Sequence, residues 1–382
     1  MKRAGPVLVG GLLLAAASNP WPAASQRTIA VNLPLPAAHP VAASGWRRFA
    51  ETAARDKQFA FRLFVDGSLL GRKHAMDGVA HGDAQMGYTT LAAYPAGMPH
   101  RAVPGRLALA GPDPMAGAAA MSEFVMLHCP ACLKSLAQHG IVFLGSHAAG
   151  PFHLLSPRPL ARADTLKGAR IASPGPPWDR LLQRLDGLPV AVEGSLAQAL
   201  ETGNIDAVLG PVALLATPAL ADRAQTVTAI HLGIHRVASP FTASLGFWRT
   251  LMPEERAALL DAAPVGLAAA ALAYRAADQE ARKAMEKAGI AFSRAHPALM
   301  RRAADFDAGD GAVELRATGE GTTGLAAAFR RLHDKYSRLF AEAGSPAGLS
   351  DELSAGPVAG VLRREIFDRL DPETYGLGLE RP

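Results

Sequence analysis

Residues 165–178, TLKGARIASPGPPW, begin a run in which buried strands and short helices alternate. Within and after this stretch, apolar runs predict strands and amphipathic runs predict helices. The predicted strands are 168–174, 188–193 and 205–211, and the predicted helices are 177–185 and 195–203. Such an alternation is typical of a mostly parallel sheet with helices packed on its faces.

The same alternation occurs earlier in the chain. The predicted strands there are 27–34, 59–65 and 84–90, and the predicted helices are 44–57 and 74–82. Two α/β units in series predict a two-lobed α/β fold, in which each lobe is a mixed or mostly parallel sheet flanked by helices. Ligands of such folds bind at the carboxyl ends of the strands, so we expect the site in the crevice between the lobes.

The C-terminal third of the chain is mostly helical. Pro253 is expected to begin a helix, Pro264 to break or kink it, and residues 266–289 to form a long helix that spans both lobes. The predicted organisation is a signal peptide (1–25), lobe 1 (26–149, with 238–265 returning to it), lobe 2 (150–237), the long helix (266–289), a part that packs on the lobes (290–344) and an extra helical tail (345–382).

The N-terminus has the three regions of a secretory signal. Lys2 and Arg3 precede an apolar run, 7–17, and small residues follow it up to about residue 25. The apolar run is too short to span a bilayer. These features predict a protein that is exported to the periplasm after cleavage of residues 1–25.

The overall composition disfavours nucleic-acid binding. The chain of 382 residues is 49% hydrophobic and 19% charged, as in a globular protein. Its formal net charge is +5, but basic residues occur at most in adjacent pairs. Because nucleic-acid binding usually needs a basic run or patch, we expect no nucleic-acid partner.

Catalytic signatures are missing from the sequence. It contains no G-x-S-x-G, H-E-x-x-H or P-loop motif, and its histidines do not pair with carboxylates at metal-ligand spacing. The only two cysteines, Cys129 and Cys132, lie in HCPACL. In an oxidising compartment such a pair typically forms a local disulfide, with a bound metal, a redox centre and free thiols as alternatives. We expect no enzyme activity, no cofactor and no metal.

Five segments of the chain carry a family resemblance. In order they are GSLLGRKHAMDGVAHGDAQMGY (67–88), AAYPAGMP (92–99), RPLARADTLKGARIASPGPPW (158–178), AQALETGNIDAVLGP (197–211) and GFWRTLMPEERAALLDAA (246–263). Together they resemble the DctP-type solute-binding proteins of TRAP transporters over roughly residues 28–340. The resemblance implies a periplasmic-binding-protein-like fold. It also implies a receptor that captures a small organic ligand and delivers it to TRAP transporter membrane subunits.

The chain departs from this family at the expected ligand clamp. Family members typically bind the substrate carboxylate with the arginine of K-x-R-x-P, and the matching position here is Ala172. Arg170 stands where the family has a lysine, Phe152 near a second family arginine and Gly210 near a family asparagine. We therefore expect a ligand that is atypical for the family.

The candidate ligand-binding residues are His39, Tyr88, Thr89, His147, Phe152, Arg170, Ala172, Trp178 and Gly210. Trp178 is equally well explained as a packing residue, and His39 as a solvent-facing histidine. Two explanations of the missing arginine compete. Either a larger and less polar ligand fills an apolar pocket around Phe152, Trp178, Ala172 and Gly210, or a carboxylate is bound elsewhere. The candidates for that second role are Arg158, Arg170, His147 and His153.

Two functions of other classes remain open at this point. The first is a periplasmic thiol–disulfide protein that uses Cys129 and Cys132. The second is a ligand-binding sensor or scaffold protein that is not coupled to transport, an interpretation motivated by the extra tail, 345–382.

Overall fold

A computed structural model of the chain describes residues 26–55, 58–90, 113–175, 178–192, 194–230, 232–234, 238–316, 323–344 and 355–379. The predicted signal peptide, 1–25, and the segment AAYPAGMP (92–99) lie outside these described residues. Within them the chain forms two mixed sheets with helices packed around both.

Strands and helices alternate along most of the chain. The strands are β1 (Arg27–Asn32), β2 (Phe59–Phe64), β3 (Met86–Thr90), β4 (Ile141–Val142), β5 (Phe152–Ser156), β6 (Arg170–Ala172), β7 (Leu188–Val190), β8 (Ala207–Pro211), β9 (Thr226–Ala229), β10 (Ala238–Ser244) and β11 (Ala291–Arg294). The α-helices are α1 (Arg47–Ala53), α2 (Ala75–His81), α3 (Pro114–Glu123), α4 (Pro130–Gln138), α5 (Ala163–Leu166), α6 (Trp178–Arg184), α7 (Leu196–Glu201), α8 (Pro218–Ala221), α9 (Leu245–Arg249), α10 (Pro253–Lys287), α11 (Pro297–Arg316), α12 (Thr323–Glu342) and α13 (Ala355–Glu365).

The first sheet, in lobe 1, has the strand order β2-β1-β3-β10-β4. β1 runs parallel to both of its neighbours, whereas β10 is antiparallel to β3 and to β4. Ile29 and Val31 of β1 are fully buried, because alternate side chains of a strand point to the same face. Helices α1 and α2 follow β1 and β2 along the chain, as the sequence pattern predicts.

The second sheet, in lobe 2, has the order β11-β9-β5-β8-β6-β7. β8 is parallel to β6 and antiparallel to β5, and every residue of β8 is buried. Its sequence, AVLGP, is therefore a continuous apolar run rather than an alternating one, as expected for a strand that is covered on both faces.

Two chain segments connect the lobes and run side by side. One contains His147 and Pro151, and the other contains Ile234 and Ala238. His147 forms a bridge with Ala238, and Pro151 forms one with Ile234. Because β10 is antiparallel to β3, and β5 to β8, these segments enter both sheets at the carboxyl ends of β3 and β8. The crevice between the lobes is thus lined by the edges at which α/β folds bind ligands.

The long helix α10 contacts both lobes, through α1 on one side and the 3₁₀ turn Val212–Ala216 on the other. The sequence-based prediction of its bounds was wrong. The helix runs for 35 residues and continues through Pro264 instead of ending there. A proline removes only one backbone donor, and close packing around it compensates. At Gly266 a Cβ atom would lie 3.0 Å from the Gly45 carbonyl oxygen, so the glycine permits this close approach.

The C-terminal tail is part of the lobe 1 core. Helix α13 packs on α10, and Val358 and Ile366 are fully buried. Beyond it, the Tyr375 hydroxyl donates to the Phe143 carbonyl oxygen at 2.6 Å, and the Trp248 indole N–H donates to the Tyr375 carbonyl oxygen at 2.8 Å. Residues 355–379 therefore cover a surface of lobe 1 that would otherwise be exposed.

Candidate functional site

Four aromatic side chains form a connected cluster on the lobe 1 side of the crevice. Tyr274 Oη lies 2.8 Å from His39 Nε2, and the Tyr274 ring stacks on the His147 ring at a centroid distance of 5.5 Å. His147 Nε2 in turn lies 3.3 Å from Tyr88 Oη. The structure thus brings together three predicted candidates, His39, Tyr88 and His147, and joins to them Tyr274 of α10. We call these four residues the aromatic cluster.

Burial disfavours the charged forms of three members of this cluster, His39, Tyr88 and Tyr274. Burial, together with the nearby positive charge of Arg72, lowers the pKa of His39 to about 4. Burial raises the pKa of Tyr88 to about 12 and that of Tyr274 well above its usual value. His39 Nδ1 accepts from the Val41 backbone N–H at 3.3 Å, so the proton of the neutral ring is on Nε2 and is donated to Tyr274.

The low pKa of His39 gives the stability of the protein a pH dependence. The unfolded chain binds a proton at His39 below about pH 6.5, whereas the folded chain does so only near pH 4. The free energy of unfolding is therefore expected to fall by roughly 1–2 kcal/mol as the pH drops through this window, after allowance for partial exposure. Denaturant titrations at several pH values, on the parent chain and on His39→Gln, measure this. An unchanged pH slope in the variant would show that another group is responsible.

Arg72 is a cation whose charge reaches the aromatic cluster. The backbone N–H of Leu70 donates to Asn32 Oδ1 at 3.0 Å, and this bond ties the loop after β2 to the carboxyl end of β1. Arg72 follows two residues later and is exposed. Its charge acts on the pKa values of His39, Tyr88 and Tyr274. With other residues of the described chain, its guanidinium forms no hydrogen bond or ion pair.

Asp278 lies one helical turn after Tyr274 on α10 and contacts the lobe 2 side. Its Oδ1 accepts from the Ala213 backbone N–H at 3.1 Å. Its other oxygen lies so close to Gly150 that a Cβ atom there would clash with it, and any larger residue would displace the carboxylate. Burial raises the pKa of Asp278. Helix α10 therefore faces lobe 1 with Tyr274 and lobe 2 with Asp278.

Thr89 is buried in the lobe 1 sheet. Its hydroxyl lies 2.7 Å from the Thr242 hydroxyl on the neighbouring strand β10. Only 1% of Thr89 is exposed, so in this conformation its side chain serves strand pairing.

Lobe 2 contributes small and apolar residues to the crevice edge. Phe152 begins β5 opposite the end of β8 and is 5% exposed. Ala172 packs in a buried apolar cluster that includes Val208. At Gly210 a Cβ atom would lie 2.4 Å from Leu214 Cδ1, so the leucine occupies the space that a longer side chain at position 210 would need.

Trp178 is fully buried behind this edge. Its indole N–H donates to the Leu232 carbonyl oxygen at 2.8 Å, and its ring lies 5.1 Å from that of Phe152. The contact with Leu232 fixes α6 to a segment that connects the lobes. In this conformation Trp178 is a packing residue whose ring contacts the Phe152 ring.

The structure places Arg170 and Arg158 away from the crevice. Arg170 begins β6 and forms a forked ion pair with Asp206, with nitrogen–oxygen distances of 2.9 and 3.1 Å. Asp206 directly precedes β8, so this pair lies at the amino ends of the two parallel strands. Arg158 follows the end of the antiparallel strand β5 and contributes to lowering the pKa of Asp206. His153, the remaining candidate of this group, is buried with Nδ1 3.2 Å from the Ile230 carbonyl oxygen.

Cys129 and Cys132 are joined by a disulfide at the start of α4. Their Cα atoms lie 5.2 Å apart, and the two residues are only 9% and 4% exposed. An accessible thiolate, which a thiol–disulfide exchange centre needs, is therefore not presented at the surface.

Replacing both cysteines by serine is expected to lower the free energy of unfolding by about 2 kcal/mol, because the disulfide closes only a short loop. Ligand binding is expected to be unchanged, since the pair is buried in the hydrophobic core at the start of α4. Denaturant unfolding and ligand titration of the double variant measure the two quantities. Loss of ligand binding without loss of stability would point to a functional role of the pair.

The described residues contain no group of three or more His, Cys, Asp or Glu side chains that could hold a metal ion. One helix, α10, is long and apolar enough to cross a membrane, but 56% of its most apolar window is buried inside the fold. Its apolar surface therefore serves largely as core.

The arrangement of two sheets around a shared crevice agrees with a known family. The family described as "Bacterial extracellular solute-binding protein, family 7" (DctP) matches residues 36–305. The chain belongs to this family. No curated protein sequence matches the chain significantly.

Solved structures of DctP-type proteins share the fold. One is a marine metagenome TRAP solute-binding protein in complex with metahydroxyphenylacetate, with a TM-score of 0.70 and 20% identity over 81% of this chain and 99% of that one. Another, from Bordetella bronchiseptica with bound mandelate, has a TM-score of 0.70 and 19% identity over 81% and 99% of the two chains. The sugar acid binding protein of Advenella mimigardefordensis, in complex with galactonate, has a TM-score of 0.67 and 16% identity over 80% and 99%. The predicted two-lobed fold class is confirmed.

Sequence reasoning did not single out Arg72, Tyr274 or Asp278. Tyr274 and Asp278 lie four residues apart, and this spacing places them on one face of a helix. The spacing was the one available signal, but nothing in the sequence indicates that this face meets the crevice. Arg72 lies within the segment 67–88 that carries the family resemblance, in the loop after a strand.

Proposed function

We propose that the chain is the extracytoplasmic receptor of a TRAP transporter, and that it captures a small organic ligand between its lobes. The observation that carries this proposal is that a hydrogen-bonding surface on one side of the crevice faces an apolar surface on the other. Lobe 1 and α10 offer the hydrogen-bonding aromatic cluster with Arg72. Lobe 2 offers the apolar edge at Phe152, Ala172 and Gly210.

The ligand is atypical for the family in its contacts with lobe 2. A charge-assisted hydrogen bond of the kind that arginine makes with a carboxylate contributes about 1.5–3 kcal/mol. Ala172 cannot make such a bond, and Phe152 and Gly210 do not replace it. Lobe 2 therefore binds an apolar part of the ligand, with Phe152 supported by Trp178.

Binding is coupled to closure of the lobes. The two connecting segments meet at the bridges His147–Ala238 and Pro151–Ile234. Rotation there would bring the apolar edge of lobe 2 towards the aromatic cluster, as in other hinge-closing receptors. His147 belongs both to a bridge and to the aromatic cluster, so it links the hinge to the site.

The receptor functions in the periplasm. Cleavage of the signal peptide, residues 1–25, releases it there, and the closed complex then docks on the TRAP transporter membrane subunits. No step changes the ligand chemically, and the protein is not an enzyme.

Uptake into cells tests this function. Cells that make the TRAP membrane subunits of the source organism are supplied with labelled organic acids, with and without this protein. Uptake of at least one acid should require the protein, and the double variant Cys129→Ser, Cys132→Ser should support it equally. Uptake that is the same without the protein would contradict the proposal.

A further inference from the structure

Because Ala172 replaces the arginine with which the family binds a carboxylate, an anionic ligand needs another cationic partner. The two lobe 2 arginines that the sequence offered as alternative carboxylate ligands, Arg158 and Arg170, lie towards the amino ends of the parallel strands. Arg170 is further committed to Asp206 through two hydrogen bonds. Both guanidinium groups thus belong to the edge of the sheet opposite to the one that faces the crevice.

The Tyr274 hydroxyl is oriented by its neighbours. Because His39 donates its Nε2 proton to Tyr274 Oη, the phenolic proton is left to point towards another acceptor. With 9% of Tyr274 exposed, water has little access to this group. No second partner of the hydroxyl occurs among the described residues. A buried donor of this kind gains most when a ligand oxygen accepts its proton.

Arg72 supplies a positive charge beside this donor. The bond between Leu70 and Asn32 holds its loop at the carboxyl end of β1, seven residues before His39. The charge of Arg72 acts on His39, Tyr88 and Tyr274 together, which places the guanidinium within electrostatic range of these three residues. The cluster contains no carboxylate, so none of its side chains pairs with this charge.

We infer that the anionic group of the ligand is bound from the lobe 1 side, by the Arg72 guanidinium and the Tyr274 hydroxyl, while lobe 2 holds an apolar or aromatic body. The polarity of the crevice is then the reverse of the arrangement with an arginine at position 172. The ligand class is a small organic monoanion with one charged end and one apolar end. This inference rests on the proposed receptor function and specifies its ligand.

Calorimetric titration with matched probes tests the inference. The probes are phenylacetate, mandelate and metahydroxyphenylacetate, each compared with its neutral amide, and galactonate as an acid without an apolar body. The parent chain should bind at least one aromatic acid more tightly than its amide and more tightly than galactonate. Arg72→Gln should raise the Kd for that acid about 10- to 100-fold and leave the Kd for the amide unchanged.

Four further variants separate the contributions. Tyr274→Phe keeps the ring stacked on His147 but removes the phenolic proton, and it should weaken binding of the acid about 5- to 20-fold. Arg62→Gln and Arg170→Gln remove exposed charges outside the site and should bind the acid as the parent does. Arg275→Gln tests the neighbouring cation on α10, which contacts Met115, and should also be neutral. Thermal unfolding of each variant confirms that it is folded.

Several results would overturn the inference. They are equal binding of acid and amide by the parent chain, full binding by Arg72→Gln, and loss of binding in Arg170→Gln or Arg275→Gln instead. Failure of every aromatic acid at millimolar concentration would also overturn it. If uptake of some other molecule still requires the protein, the receptor function stands and only the ligand class is wrong. If uptake is independent of the protein, the receptor function itself fails.

Discussion

Deletion of residues 345–382 is expected to leave a chain that does not fold stably. The tail buries a row of apolar side chains against lobe 1, namely Val358, Val361, Leu362, Ile366, Phe367 and Tyr375. Burial of each contributes about 1.5–3 kcal/mol, so their joint loss is on the order of 10 kcal/mol. That is comparable with the total stability of a typical domain, about 5–15 kcal/mol. Far-ultraviolet circular dichroism and thermal unfolding of the truncated chain measure the effect.

A shorter deletion provides the control for this experiment. Removing only residues 380–382 spares all of these side chains and should leave the unfolding midpoint unchanged. If the chain that ends at residue 344 unfolded at the same temperature as the parent, the tail would be an independent appendage. The interpretation as a sensor or scaffold protein would then regain its motivation.

Replacement of Glu123 by Gln is expected to lower the free energy of unfolding by about 2–4 kcal/mol. The Glu123 side chain is 3% exposed and accepts hydrogen bonds from Lys335 at 2.8 Å and from the Tyr336 hydroxyl at 2.6 Å. It thereby ties α3 to α12. A neutral amide there leaves Lys335 without its buried partner, although Glu365 remains 2.8 Å away. Urea unfolding at pH 7 measures the loss.

The pH dependence provides a second readout for Glu123. Burial by itself would raise its pKa, but hydrogen bonds from Lys335, Tyr336 and His128 outweigh burial and lower it. Its stabilising contribution is therefore fully present above about pH 4.5 and is lost as the pH falls through the lower pKa of the folded state. The Glu123→Gln chain should lack this acid-dependent loss.

An exposed carboxylate serves as the matched control. Glu280 pairs with Lys283 at 3.0 Å, but its side chain is 72% exposed. Glu280→Gln should therefore change the free energy of unfolding by less than about 1 kcal/mol. Equal effects of the two substitutions would show that burial of Glu123 contributes nothing, contrary to our account.

The elements of the fold were largely predictable because their signals are local. The strand–helix alternation at 168–211 depends on apolar runs and on cues such as Ser195, whose side chain accepts from the Gln198 N–H as an N-cap. The uninterrupted helix α10 was not predictable, because its passage through Pro264 depends on packing against distant parts of the chain. Local propensity is overridden there by tertiary contacts.

The site was predictable in part, and the limits have a physical cause. His39, Tyr88 and His147 could be proposed because they lie near the end of a strand, after a strand or between the lobes, and strand ends converge in α/β folds. Arg170 shows the limit. Its partner Asp206 lies 36 residues away, and the sequence does not reveal that this pairing holds the guanidinium at the opposite edge of the sheet. Tyr274 was hidden because a tyrosine in a long helix is ordinarily a packing residue.

Identification of the molecule that accompanies the protein tests the central claim most directly. Protein exported by a host and purified without added ligand would be measured by native mass spectrometry, and the bound material extracted and identified. Our account predicts one small organic anion with an apolar body per chain, and its absence from the Arg72→Gln chain. A neutral ligand, a dicarboxylate, or a chain that gains no mass after incubation with organic acids would contradict it.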